Sequence, residues 1–480
     1  MKHKHILLVG IFLFFFSGCT KLIEEPKALT EGTFYNNIAE LQGAVFAIYD
    51  KINLAYRVDR FFINECKVDY GYARSTYVTV DDFKALDPTN ISRTGNVWAA
   101  LYLAIRDANL VIKNAGRAAG DATQINALVA EARFLRAFAY FDLVRLWAGV
   151  PLRDENNMQE LHVPRADVND IYKFIEADLQ FAVANLPAKS AVEGRPQITA
   201  AKAVLAHVYL EMQRWGDARR EAFDVIASKD YALVNVTVSD DFYTIFGPDV
   251  NGTSEEVFYL KYTDVLGYGS KHAVYAHHPG APYTNGRGYF GAYTDSERNP
   301  VIKNWDDNDL RKAFNLYSWN IGLGDHTLLY KKFIDPDLSN PNETSNDHPA
   351  YRYADVLLFY AEAEAKANNA PTLDAMEKLN MVRRRAYGKN PLIASTVDYN
   401  LSDYQTLDAF LDLIIKERGY EHMYEGKRFL DLKRMGKLEE VIKNAHNIDV
   451  DEASLLWPIP NIEYDYNHAI DPATDQNPGY

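Results

Sequence analysis

Residues 198–218 read ITAAKAVLAHVYLEMQRWGDA, and RREAFDVIAS carries the run on to residue 228. Two helices fit this stretch. Thr199 stands where a capping side chain would open a helix reaching residue 212, and Asp217 where one would open a second reaching 228. Arg214, Trp215 and Gly216 form the turn between them. Ala200, Ala203, Ala206, Ala218 and Ala222 lie where two paired helices must approach closely, and small side chains permit that approach.

The unit 199–233 spans 35 positions, close to the period of about 34 residues of tetratricopeptide-type repeats. Downstream, helices fit 352–367 and 372–386, and DVLLFYAE at 355–362 echoes AVLAHVYLE at 203–211. Upstream, 124–147 places Leu128, Ala132, Leu135, Ala139 and Leu143 at helical spacing. The stretch 168–186 does the same with Ile171, Ile175, Leu179 and Ala182, and Pro187 ends it. A further helical pair fits 406–436. The expected fold is mostly α, with four tetratricopeptide-like helix–turn–helix units forming a scaffold at 30–63, 97–230 and 350–440.

What interrupts the scaffold is loop-rich. Residues 231–335 hold 19 aromatics and 10 Gly in 105 positions, against 11 aromatics and 3 Gly in the 110 positions of 121–230. Glycine breaks helices, so 231–345 reads as an α/β insertion of loops and short strands, such as 256–262. A second loop region falls at 64–96. Loops held by a rigid scaffold are where binding residues concentrate.

The whole chain has 480 residues, with 51 Lys and Arg against 66 Asp and Glu, a net charge of −15. An acidic chain without a basic cluster is a poor partner for nucleic acid, which is held through its phosphates. Cys19 and Cys66 are the two cysteines, too few for a disulfide framework or a cysteine-based zinc site. At the N-terminus, Lys2 and Lys4 precede an apolar run at 6–16, too short to span a bilayer of about 20 helical residues. Ser17, Gly18 and Cys19 follow, with Phe16 where a lipobox usually has Leu. Residues 1–18 therefore read as a lipoprotein signal peptide, with Cys19 as the lipidation site and the mature body tethered to a membrane.

Gly286, Gly288 and Gly291 match G-x-G-x-x-G, but the flanks are loop rather than strand and helix, so no dinucleotide cradle is expected. His272, His277 and His278 lack metal-site spacing and read as solvated loop histidines. Glu131, Arg133 and Arg136, and the series from Glu417 to Arg428, read as helix-flank charges. No nucleophile elbow or P-loop occurs. The aromatics stand out instead. Trp98, Trp147 and Trp215 read as packing residues. Trp305 and Trp319 lie in polar stretches, NWDDND and YSWNIG, and read either as platforms for the flat C–H faces of a sugar or as the core of a small insertion.

Taken in order, EARFLRAFAYFDLVRLWAGVPL at 131–152, VPRADVNDIYKFIEADL at 163–179, the 198–218 run, YRYADVLLFYAEAEAKA at 351–367, LNMVRRRAYG at 379–388, IIKERGYEHMYEGKRFLDLKRMGKL at 414–438, LLWPIP at 455–460 and QNPGY at 476–480 resemble the SusD/RagB family of Bacteroidetes outer-membrane lipoproteins. Residues 235–345 carry almost none of the pattern. The resemblance implies a non-catalytic, surface-exposed lipoprotein that captures an oligosaccharide and passes it to a SusC-like TonB-dependent transporter. The RagB branch takes peptides, which leaves a peptide ligand as an alternative, and a glycoside hydrolase using unidentified carboxylates as another. No cofactor is expected; some relatives use calcium, which nothing in this sequence supports. The expected binding residues are Trp305, Trp319, Tyr283, Tyr289 and Tyr293 as rings, Arg287, Asn285 and Asn320 as hydroxyl partners, and Tyr72, Arg74 and Tyr77 as an opposing rim.

Overall fold

The computed structural model describes residues 31–480 except Pro341, so the expected signal peptide and Cys19 lie outside the described residues. The long helices are α1 (Ile38–Tyr56), α2 (Asp59–Glu65), α3 (Pro88–Asn114), α4 (Ala122–Trp147), α5 (Val168–Asn185), α6 (Ile198–Glu211), α7 (Trp215–Ser228), α8 (Tyr353–Asn368), α9 (Leu373–Ala386), α10 (Leu407–Glu421), α11 (Arg428–Arg434) and α12 (Leu438–His446). They form four antiparallel hairpins, α1/α3, α4/α5, α6/α7 and α8/α9, each packed on the next. Helix α7 packs directly on α8, so the scaffold stays continuous although more than a hundred residues separate the two in sequence.

Capping explains where several helices start. Asp87 accepts from the amides of Thr89 and Asn90, and Pro88 occupies the first turn, so α3 begins well before residue 97. Asp121, Asp167 and Thr372 cap α4, α5 and α9 in the same way. Two expected caps are not caps. Helix α6 opens after Gln197, and the Thr199 hydroxyl bonds Tyr231 at 2.8 Å instead. Helix α7 opens at Trp215, and Asp217 inside its first turn pairs with Arg214 and Arg220.

Helix α4 is the axis of the molecule, and every residue from Phe134 to Trp147 is buried. Its Arg136 is therefore a buried rather than solvent-facing flank charge: it forms a two-point pair with Asp178 of α5, at 2.7 and 2.9 Å. The charges of 417–428 are buried as well. Glu421 accepts from Arg352 at 2.8 Å and Arg385 at 2.6 Å, Glu425 from Arg352 and Lys332 at 2.7 Å, and Glu417 from Arg311 at 2.9 Å. Arg311 and Lys332 belong to the insertion, whereas the carboxylates belong to α10 and the turn after it. This buried ion network fixes the insertion on the scaffold.

The strands are short: β1 (Tyr72–Ala73), β2 (Glu256–Leu260), β3 (Ala292–Asp295), β4 (Leu316–Ser318), β5 (Thr327–Tyr330) and β6 (His348–Arg352). Strands β2 and β6 pair where the insertion leaves and rejoins the scaffold. The other four form an antiparallel sheet in the order β1-β3-β5-β4. That sheet draws the 64–96 loop region and the insertion together. Among the described residues no helix is long and apolar enough to cross a membrane.

Candidate functional site

The small sheet brings distant sequence together. Tyr72 of β1 stands opposite Tyr293 of β3, their rings 5.3 Å apart. Just beyond β1, the Arg74 amide donates to Gly291 O at 2.7 Å, and its guanidinium donates to Phe290 O at 3.2 Å. The same guanidinium lies 4.2 Å from the centroid of the Phe290 ring. Phe290 continues to His278 at 4.7 Å, and His278 to Trp319 at 4.9 Å, with the last two rings inclined by 31°. Arg74, Phe290, His278 and Trp319 thus form one half-exposed ridge, flanked by Tyr289, Tyr293 and Tyr72.

Local backbone chemistry builds this ridge. The amides of Tyr289, Phe290 and Gly291 donate to the carbonyls of Val274, His277 and Tyr275 in turn, which lays the 288–291 loop along the 272–278 segment. The approach is so close that a Cβ on Gly288 would stand 2.1 Å from His277 O, and Gly288 also has φ of +157°. The glycine motif therefore serves a backbone approach, consistent with its reading as loop. Trp319 projects from the tip of the β4–β5 hairpin, where its N–H donates to Thr327 O at 3.1 Å and its carbonyl accepts from the Thr327 hydroxyl at 2.6 Å. Its ring covers Gly280, leaving only 3.0 Å for a Cβ there.

Trp319, Tyr289, Tyr293, Tyr72 and Arg74 accordingly come together as one surface. Tyr283 lies in a layer behind them, 5.0 Å from His277 and edge-on to Tyr317 at 4.9 Å. Trp305, expected as a platform, and Tyr77, expected on the opposing rim, are core residues. Trp305 is 2% exposed; it stacks face to face on Tyr420 at 4.3 Å and 6°, and its Nε1 donates to Asp309 at 2.9 Å. Among its polar neighbours in sequence, Asp309 is buried, caps the next helical turn and pairs with Arg311, while Asn304, Asp306, Asp307 and Asn308 face solvent and the indole turns inward beneath them. Tyr77 is 1% exposed, edge-on to Phe62 at 4.8 Å, with the Arg93 guanidinium 3.9 Å above its ring.

The expected hydroxyl partners differ among themselves. Arg287 is exposed, at a turn where its amide donates to Thr284 O. Asn285 donates to Leu338 O at 3.0 Å. Asn320 holds its own hairpin tip, donating to Asp325 at 3.0 Å and accepting from Gly322 and Gly324. Both amides are engaged in shaping their loops. Two ridge members, Phe290 and His278, were not among the expected site residues. His272 and His277, expected in solvent, are fully buried, and burial pulls His277 down to about 4. Burial also raises Tyr72 and Tyr293 above the usual phenol range and lowers Arg74, so these two tyrosines are neutral hydrogen-bonding groups at physiological pH. Among the described residues no group of three His, Cys, Asp or Glu side chains converges as a metal site.

The fold has counterparts. A model described as the SusD family matches residues 262–480, and one described as starch-binding, associating with the outer membrane, matches 29–210. SusD-like protein P2 of Formosa agariphila is 28% identical over 521 residues, covering all of both chains. Among solved structures, a SusD homolog from Bacteroides thetaiotaomicron superposes with a TM-score of 0.79 at 20% identity, over 94% of this chain and 98% of that one. A laminarin-binding SusD-like protein superposes at 0.74 and 23% identity, over 93% and 100%. With family models on both halves of the sequence, relatives matched end to end and the helical scaffold they share, this chain belongs to the SusD/RagB family.

Proposed function

We propose that the ridge captures a neutral oligosaccharide at the cell surface and that the protein passes it to a SusC-like TonB-dependent outer-membrane transporter. The observation that carries this reading is the line of half-exposed rings from Trp319 through His278 to Phe290, ended by the Arg74 guanidinium. Sugar rings offer flat C–H faces to such aromatic surfaces, while their hydroxyls bond the guanidinium and the phenols of Tyr72, Tyr289 and Tyr293. Stacking of a flat ring on an aromatic side chain is worth about 1–3 kcal/mol for nucleic-acid bases, and a sugar stack is of the same kind. That a solved relative binds laminarin and that a matching family model is described as starch-binding support the ligand class.

The proposed role is binding without catalysis, with no cofactor. Lipidation at Cys19 would hold the protein on the outer membrane with the ridge facing outward. Titrating neutral oligosaccharides against the purified protein at low and high salt tests the ligand class. A neutral glycan gives affinity that scarcely changes with salt. Binding to basic peptides that weakens steeply with salt, with no glycan bound, would replace this reading with peptide capture.

A further inference from the structure

A second concave site lies away from the ridge and shares no residue with it. It is a cavity of about 430 Å³ between the C-terminal half of α1, the 192–195 loop joining α5 to α6, and the 259–268 segment after β2. Its volume falls in the range of about 300–1,000 Å³ typical of small-molecule pockets. Two large rings stand at its mouth with no core to cover them: Phe46 is 46% exposed and Tyr268 is 60% exposed.

The residues deeper in the cavity carry polar atoms without partners. Asn53 Oδ1, Arg57 Nε and the Tyr259 hydroxyl are all shielded from bulk water and make no hydrogen bond, and Tyr259 is 1% exposed. Buried polar groups are rarely left this way, because each forgoes the hydrogen bond that water would have given it. These atoms are sealed within the cavity wall, so a guest meets them once the side chains turn toward it; one acceptor, one donor and one hydroxyl that can act as either then match a group that itself donates and accepts. The cations lining the cavity are already matched: Arg57 pairs with Glu343 at 3.3 Å, Arg195 with Glu131, and Lys261 with Glu256 at 2.8 Å and Asp347 at 2.9 Å. The site therefore offers no free cation to an anionic guest. On the far side of the same loop a second cavity of about 460 Å³ is lined by amides and hydroxyls, including Gln197, Asn251 and Thr253.

We propose that this groove is a second glycan subsite, in which Phe46 and Tyr268 take the apolar face of a sugar and Asn53, Arg57 and Tyr259 take its hydroxyls. The inference rests on the glycan-binding reading of the protein. Two separated subsites on one chain would let it hold two stretches of a polysaccharide, raising the effective concentration of the second once the first is bound.

The test is calorimetric titration of the full chain in detergent with malto-, laminari-, xylo- and manno-hexaose. It uses the wild type, a groove variant Phe46→Ala/Tyr268→Ala and a ridge variant Phe290→Ala/Trp319→Ala. The exposed groove rings can be truncated without opening the core. The expected result is two sites in the wild type and one in each variant, with hydrogen exchange at 259–268 slowed by glycan in the ridge variant but not in the groove variant. A single wild-type site abolished by the ridge variant and untouched by the groove variant overturns the inference and leaves the glycan reading standing. Two sites that both survive the groove variant overturn it as well. No hexaose bound by the wild type overturns the glycan reading and the inference with it.

Discussion

The guanidinium of Arg74 lies 4.2 Å from the centre of the Phe290 ring, while its backbone amide is bonded to the carbonyl of the next residue, Gly291, at 2.7 Å. One residue thus both fixes the two loops together and contributes a hydrogen-bonding head to the ridge. Arg74→Ala removes the head and keeps the backbone tie. Glycan affinity is expected to fall about tenfold, in line with the loss of about 1–2 kcal/mol, with the melting temperature changed little. Calorimetric titration beside a thermal melt checks both halves of that expectation.

Trp305 separates packing from binding. Its ring is stacked on Tyr420 inside the core, so Trp305→Ala is expected to destabilise the fold by about 3–5 kcal/mol. At a temperature where the variant is still folded, its glycan affinity should equal that of the wild type. Denaturant unfolding and titration at that temperature measure the two quantities.

Glu421 sits among the guanidinium groups of Arg311, Arg352 and Arg385, which hold its carboxyl well below the usual range against the opposing pull of burial. Removing one charge from a buried network leaves others uncompensated, at a cost of about 3–5 kcal/mol. Glu421→Gln is therefore expected to loosen the insertion from the scaffold. Limited proteolysis should show earlier cleavage within 231–345 than in the wild type, with cuts in 122–228 appearing later.

Acid should act on Glu362. Burial alone would raise its carboxyl, but Arg434 and Lys366 overcome that and hold it at about 2, below an unfolded value of 4.5. A depressed folded value means the contribution is complete above pH 4.5 and is lost as the pH falls through 2. It amounts to about 3 kcal/mol. Chemical denaturation from pH 5 down to pH 2 should show this loss in the wild type, and a shallower decline in Glu362→Gln, which starts from lower stability.

The helical scaffold was legible because its periodicity is local: apolar residues at three- and four-residue spacing, small residues at close helix crossings, and Asp or Thr before a helix. The start of α3 was missed because its cap, Asp87, lies in a stretch otherwise rich in loop signals. The charges at 131–136 and 417–428 read in sequence only as helix-flank charges, because spacing within one helix cannot show which partners arrive from elsewhere, as Asp178 does for Arg136 and Arg352 for Glu421. The site was legible only in part for the same reason. Trp319 and Trp305 both sit in polar sequence, yet Trp319 ends a hairpin and Trp305 faces Tyr420, more than a hundred residues away. Phe290 carried one local signal, its place between Gly288 and Gly291, where a loop must lie close to another backbone. His278 carried none that set it apart from the buried His277 beside it.

The most direct test of glycan capture at the ridge is titration of the wild type and the Phe290→Ala/Trp319→Ala variant with whichever hexaose the wild type binds. The ridge reading predicts that the affinity measured at the ridge falls by tenfold or more while the melting temperature stays close to that of the wild type. Unchanged affinity and stoichiometry in that variant would contradict it.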